Sequence, residues 1–353
     1  MAIVFAIIIF SFLIFIHELG HFLAAKASKV QVNEFAMFMG PALIKWGKGE
    51  TQYSIRCIPL GGYCAMEGEE EDTDNPRSFQ KAAWWKRLII LIAGAAMNFI
   101  SGFLIFALVF SPKQGFAQPV IAEAEAGNTI VYEEGLHVGD RILKINGSRV
   151  YISSDATMLF NLQAGDTYDL VVERDGKKVE LPDFAMERHE FANADGSTSM
   201  RYGIKFGYAE KTFGNLLSHS WNTCLSVVQS VKLSLQMLLS GQAGLKDVAG
   251  PVGIVQMMNT TAQASPTTMD AILNLLYLGG FIAVNLAVMN LLPIPALDGG
   301  RVVSLLLTVA VEKVIRRKID PKYEGYIHAA GMIILLAFMA IVMFKDIFVI
   351  FKG

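Results

Sequence analysis

The sequence has little charge. Asp, Glu, Lys and Arg together make 18% of its 353 residues against 53% hydrophobic, and the net charge is −2. A balance this close to zero provides no basic surface for a nucleic acid, so no nucleic-acid partner is expected. Cysteine is scarce: only Cys57, Cys64 and Cys224 occur. Three residues make no even disulfide framework, and Cys57 and Cys64 are too far apart for a CxxC motif, so all three read as unpaired thiols. The N-terminus has no basic stretch before its apolar run and no small-residue cleavage site after it. Both absences argue against an ordinary cleaved signal peptide.

Long apolar runs are abundant. Met1–Ile16, Leu88–Phe110 and Ala271–Leu297 carry no charge, and Tyr326–Phe344 contains only His328 as an ionisable group besides Tyr326. Runs of roughly 18 residues or more can cross a hydrocarbon core, and four membrane spans are expected, with the lipid bilayer as the surrounding partner. Lysine and arginine crowd the loop between the first two spans (Lys26 to Arg87) and the loop between the last two (Arg301 to Lys322). Positive charge marks cytoplasmic loops, which places both loops inside and residues 111–270 outside. The acidic run EGEEEDTD (67–74) reads as a solvated loop. Phe213–Leu239 is apolar at helical spacing but laced with Ser, Asn, Gln, His and Lys232. That pattern suits an amphipathic helix rather than a fifth span.

Between about 115 and 208 charged residues become frequent. GLHVGDRILKINGSRV (135–150) alternates apolar positions ahead of Asn146-Gly147, and VVERDGKKVEL (171–181) carries Asp175-Gly176. Both dipeptides predict hairpin turns. The GLxxGDxILxINGxxV pattern resembles a PDZ domain, which implies a possible peptide tail as partner, bound by strand addition.

The polar stretch that ends the first apolar run is HELGH. On a helix, His17 and His21 share a face and can converge on one ion. The H-E-x-x-H spacing places Glu18 beside that ion as a general base, the pattern of zinc hydrolases. Catalytic zinc takes three protein ligands, so a third must come from elsewhere. Asp298, within NLLPIPALDGGR (290–301), is the strongest candidate because prolines and glycines interrupt a membrane run there, as happens where backbone lines a cavity. His328 and His219 are rivals. With four spans HELGH and Asp298 reach the same membrane face; a fifth would separate them by roughly 30 Å.

The chain is identified as resembling the site-2 proteases, intramembrane zinc metalloproteases, and specifically the bacterial regulator-of-sigma-factor branch with a PDZ domain. The likeness rests on HELGH, PLGGY (59–63), FQKAAWWKRLIILIAGAAMNF (79–99), the PDZ-like pattern, GPVGI (250–254) and NLLPIPALDGGR. It implies Zn2+ held by His17, His21 and Asp298, with Glu18 as base. It further implies substrate backbone held by Asn290 and by a membrane-associated β-hairpin over about 32–66, in which Gly61 and Gly62 bind substrate. The implied substrates are single-span membrane proteins such as trimmed anti-sigma factors or remnant signal peptides, cut at a bacterial inner membrane. Ala95 stands where many relatives carry proline, and one PDZ-like module stands where some have two.

The expected architecture is a polytopic α-helical membrane protein of four transmembrane helices with one extracytoplasmic PDZ-like α+β domain. Residues 1–112 and 270–353 would form the metalloprotease core, 113–208 the PDZ-like domain and 209–269 an amphipathic connector. A non-catalytic PDZ scaffold would be favoured by a broken HExxH or a missing LDG, and both motifs are intact. A metal transporter would need more intramembrane ligands than Asn98 and His328 add.

Overall fold

The structure, a computed structural model, describes residues 2–352 apart from 70, 72, 125–134, 163–164, 193–196, 245, 247 and 318–321. Its helices are α1 (Ala2–Ala27), α2 (Trp84–Phe110), α3 (Ser153–Leu162), α4 (Phe213–Leu239), α5 (Pro251–Ala264), α6 (Thr268–Asn290), α7 (Asp298–Ile315) and α8 (Lys322–Lys352). The strands are β1 (Val32–Trp46), β2 (Gln52–Met66), β3 (Gly115–Ala124), β4 (Arg141–Ile145), β5 (Ser148–Arg149), β6 (Thr167–Arg174), β7 (Lys177–Ala185), β8 (His189–Ala192), β9 (Thr198–Arg201) and β10 (Ile204–Glu210). The chain divides into two compact units, one of Met1–Val109 with Ser230–Gly353, the other of Phe110–Gln229.

In the first unit, four helices are long and apolar enough to cross a membrane: Ile3–Ala27, Trp84–Phe110, Thr268–Asn290 and Lys322–Phe348. Their outward residues suit contact with lipid. On α8, Ile333, Ile334 and Phe344 are each about 70% exposed; in water each such side chain would forgo roughly 1.5–3 kcal/mol of burial. The third apolar run is not one helix to Leu297, as its uncharged length suggests. Thr267 caps α6 by accepting from the Asp270 N–H at 3.1 Å, and α6 closes at Asn290 with the Leu291 N–H donating to Val288 O. Pro293 and Pro295 have no N–H with which to continue it, so the chain turns and α7 begins at Asp298.

Two clusters hold this unit together. Ala6, Ile9 and Leu13 of α1 pack with Met258 of α5 and Leu275, Ile282 and Ala283 of α6. Nearer the other end of α1, Ala25 packs with Val32 and Phe35 of β1, Cys64 and Met66 of β2, Ile90 and Leu91 of α2 and Leu305 of α7. β1 and β2 form a long bent antiparallel hairpin in which residues 34–37 have partners on both sides, at 52–55 and at 62–65. Segment 62–65 pairs only with 34–37 among the described residues and is therefore an edge. Leu43, Ile44 and Trp46 near the hairpin tip are all more than half or about half exposed.

The second unit carries a six-stranded sheet in the order β10-β3-β4-β6-β7, with β5 paired to β4. Asn146 and Gly147 have φ of 48° and 77°, and Asp175 and Gly176 have φ of 51° and 74°. Two successive left-handed residues make the turn that matches the twist of a two-residue hairpin, as both dipeptides predict. Strands β8 and β9 pair separately. Ile121, Ile142, Leu170 and Val172 of the sheet are fully or almost fully buried, as are Ala156 and Phe160 of α3.

Candidate active site

His17 and His21 sit one turn apart on α1, and the turn after α6 delivers Asp298 at the first residue of α7. His17 Nε2 lies 3.2 Å from Asp298 Oδ2, His21 Nε2 lies 3.4 Å from the same oxygen, and the two Nε2 atoms are 3.2 Å apart. Among the described residues these three form a cluster able to hold a metal ion. The side chains are 14%, 10% and 19% exposed, so bulk water is mostly excluded while one face stays open.

The fit to zinc can be tested by arithmetic. Nitrogen and oxygen ligands sit about 2.0–2.2 Å from a tetrahedral zinc. The edge of that tetrahedron is about 1.63 times the bond, or about 3.3–3.6 Å. Measured separations of 3.2, 3.2 and 3.4 Å fall close to that edge. Among the described residues Asp298 Oδ2 is buried with no hydrogen-bond donor, a costly arrangement for a carboxylate unless a cation takes its place. The tautomer agrees as well. His21 Nδ1 lies 2.8 Å from Ile90 O; a carbonyl only accepts, so Nδ1 carries the proton and Nε2 keeps its lone pair toward the cluster.

Around His17 two amides converge. The side-chain nitrogens of Asn98, on α2, and Asn290, at the end of α6, each lie 3.4 Å from His17 Nδ1. Asn98 Oδ1 is buried without a partner among the described residues. Half a turn of the amide presents that oxygen to His17 Nδ1–H, which satisfies both groups and frees His17 Nε2 as an acceptor. The sequence pattern marks Asn290 but not Asn98; the signal for Asn98 was a lone amide in an otherwise apolar span.

Glu18 follows His17 on α1 and interacts electrostatically with His21, His17 and Asp298. Gly62, on the hairpin edge, packs against it: a Cβ there would stand 3.1 Å from Glu18 Cγ and 3.2 Å from a methyl of Ile14. Gly61 has a φ of 72° and faces Met39. Gly94 of α2 is forced by close approach, since a Cβ would lie 2.3 Å from His21 Nε2.

The rival histidines have other work. His328 Nδ1 accepts the Ala296 N–H at 3.0 Å. That bond steadies Ala296 at a φ of 82°, a left-handed conformation costing about 1–2 kcal/mol without glycine, two residues before Asp298. His219 packs against the rings of Phe110 and Phe116; burial lowers its pKa to about 4. The acidic run is not wholly solvated, as its charge density suggests. Glu69 pairs with Arg301, one turn beyond Asp298 on α7, and also accepts the Met66 N–H. Residues 70 and 72 of that run lie outside the described residues.

Peptidase family M50 matches residues 5–338. The chain belongs to the M50 peptidases. It is 36% identical over 349 residues to "Putative zinc metalloprotease CPE1693" of Clostridium perfringens, covering 98% of each chain. It is also 31% identical over 351 residues to "Putative zinc metalloprotease FN1322" of Fusobacterium nucleatum, again covering 98% of each. "Zinc metalloprotease RasP" of Bacillus licheniformis is 28% identical over 426 residues, covering 97% of each. This M50 chain is thus a membrane zinc metalloendopeptidase, the class its HELGH stretch indicates.

Proposed function

We propose that His17, His21 and Asp298 hold the zinc ion and that Glu18 is the general base of an endopeptidase cutting single-span membrane proteins within the membrane. The observation that carries this reading is the convergence of three ligand atoms at one end of α1, next to an open strand edge whose Gly62 touches Glu18. A helical peptide bond is shielded by its own hydrogen bonds, so a transmembrane substrate must unwind first. Residues 62–65 offer the unwound segment a strand to pair with, and the glycines keep that approach free of side chains. Asn290, at the inner end of α6, holds the substrate backbone.

Zinc, when bound, supplies a Lewis acid that polarises the scissile carbonyl and acidifies its water. The protein does the rest. His21, fixed by Ile90 O, and His17, fixed by Asn98, present lone pairs at set positions. Glu18 takes a proton from the attacking water at a carboxylate oxygen and returns it to the leaving amine. Gly94, lacking a Cβ that would stand 2.3 Å from His21 Nε2, lets α2 approach the histidines closely.

The lysine- and arginine-rich loops support a reading in which this site faces the cytoplasm and the PDZ-like residues 113–208 are extracytoplasmic. Residues 113–208 read as a PDZ-like module, filtering substrates by size or docking a peptide tail. The substrates are trimmed anti-sigma factors or remnant signal peptides of a bacterial cell membrane. The test is co-expression of wild type and Glu18→Gln with a panel of single-span proteins. Fragments that appear only with wild type are expected; equal cleavage by Glu18→Gln overturns the assignment of the base.

A further inference from the structure

A cleft of about 470 Å³ lies between the start of α2 and the end of α7. Its walls include Trp84, Arg87, Glu312, Lys313, Arg316 and Arg317, four cations against a single carboxylate. Proteolysis uses none of them. We propose that this cleft binds the phosphodiester head group of an anionic phospholipid, such as phosphatidylglycerol, at the membrane boundary.

Charge alone would be a weak argument, because basic residues often line solvated faces. The geometry adds three points. Arg87 is anchored: its Nη1 donates to Gln80 Oε1 at 2.7 Å and its guanidinium lies over the Phe79 ring. Its Nε is itself buried, so the side chain is held in the cleft wall as a fixed positive charge. Secondly, Trp84 opens α2, and the N-terminal end of a helix favours negative charge. Arg316 closes α7 with a φ of 55°, and Arg317 follows at the mouth of the cleft.

The third point selects a lipid over a soluble anion. The cleft sits at the end of a membrane-spanning helix, and the surface beside its cations is apolar. Trp84 and Trp85 are each 49% exposed, while Val314 and Ile315 of α7 are 81% and 49% exposed. Tryptophan gathers at the membrane–water boundary. A head group in the cleft would let its acyl chains lie along these side chains, which a free phosphate cannot do. Basic pockets beside membrane helices take anionic head groups for the same reason. The inference needs α2 to span the membrane and goes beyond the proposed proteolysis.

The test uses the full chain in neutral detergent micelles and measures binding of dioleoylphosphatidylglycerol. Each basic residue near an anionic surface contributes roughly fivefold in affinity. Lys313→Ala, Arg316→Ala and Arg317→Ala together should therefore weaken binding by roughly a hundredfold. All three residues are exposed, and the charge-keeping set Lys313→Arg, Arg316→Lys and Arg317→Lys should bind within a few-fold of wild type. Dioleoylphosphatidylcholine should not compete, and inorganic phosphate should not displace the lipid. Equal binding by the alanine variant, or by phosphatidylcholine, overturns the site. Displacement by phosphate would make it a soluble-anion site and overturns the lipid. Because no readout is catalytic, Glu18→Gln should bind the lipid as wild type does.

Discussion

Asp140 in one unit and Asp298 in the other are both largely withdrawn from water, and the two could hardly be treated more differently. Asp140, in the 110–229 unit, is fully satisfied: Arg174 Nε and Nη2 donate to its two oxygens at 2.8 and 2.7 Å, and the His137 N–H donates at 2.8 Å. Asp298, in the membrane unit, has two histidine nitrogens near Oδ2 and, among the described residues, no donor on it. Folding alone explains the first arrangement. The second leaves a buried charge uncompensated, and a cation between the three side chains resolves it. A complete hydrogen-bond shell marks a carboxylate that holds a fold together, and an incomplete one facing two imidazoles marks a ligand.

Exchanging the two aspartates' fates would sharpen that contrast. Asp298→Asn or His17→Ala should lose bound zinc and reduce cleavage to background, while Asp140→Asn should leave the zinc content of the purified chain unchanged. Glu18→Gln should keep zinc and lose roughly 10²- to 10⁴-fold in cleavage rate, the usual share of a general base, measured on a single-span substrate.

Asp140→Ala should act on structure instead. Breaking a buried ion pair costs about 3–5 kcal/mol, so hydrogen-exchange protection of β4 and β6 should fall while zinc is retained. Acid should do the same to the wild type. Burial raises the Asp140 pKa, but the bonds from Arg174 and His137 outweigh it and hold the carboxyl below its ordinary value of 3.8. Its contribution is therefore full above that value and is lost as pH falls through the lower, folded one. Protection of β4 in wild type should hold at about pH 5 and decline below about pH 4, and Asp140→Asn should remove that decline.

The smallest effect concerns Asn98. Asn98→Ala should weaken zinc binding by about 10- to 100-fold, the usual cost of losing a residue that orients a ligand. Asn98→Asp, which keeps the acceptor oxygen, should restore most of it. Titration with a competing chelator separates the two variants.

Much of this was legible in the sequence because the signals were chemical and local. HELGH fixes two nitrogens by helical spacing alone, and the prolines and glycines around Asp298 announce a break in a membrane run. The two left-handed turns followed from Asn146-Gly147 and Asp175-Gly176, since few other dipeptides take that backbone. Other features depend on which helices end up side by side. Nothing local tells that Asn98 and Ile90 of α2 face the histidines of α1, or that Glu69 leaves its acidic run to meet Arg301. The same prolines show that the third apolar run breaks, but not that the chain resumes as a helix at Asp298. Prolines decide that boundary, and Asp298 consequently opens a new helix instead of ending an old one.

The central claim is that three side chains from opposite ends of the chain make one zinc site. Zinc content per chain, measured by atomic spectroscopy on purified wild type, Glu18→Gln and Asp298→Asn, tests it most directly. The account predicts about one zinc in the first two and almost none in the third. Full zinc occupancy in Asp298→Asn, held as tightly as in wild type against a chelator, would contradict it.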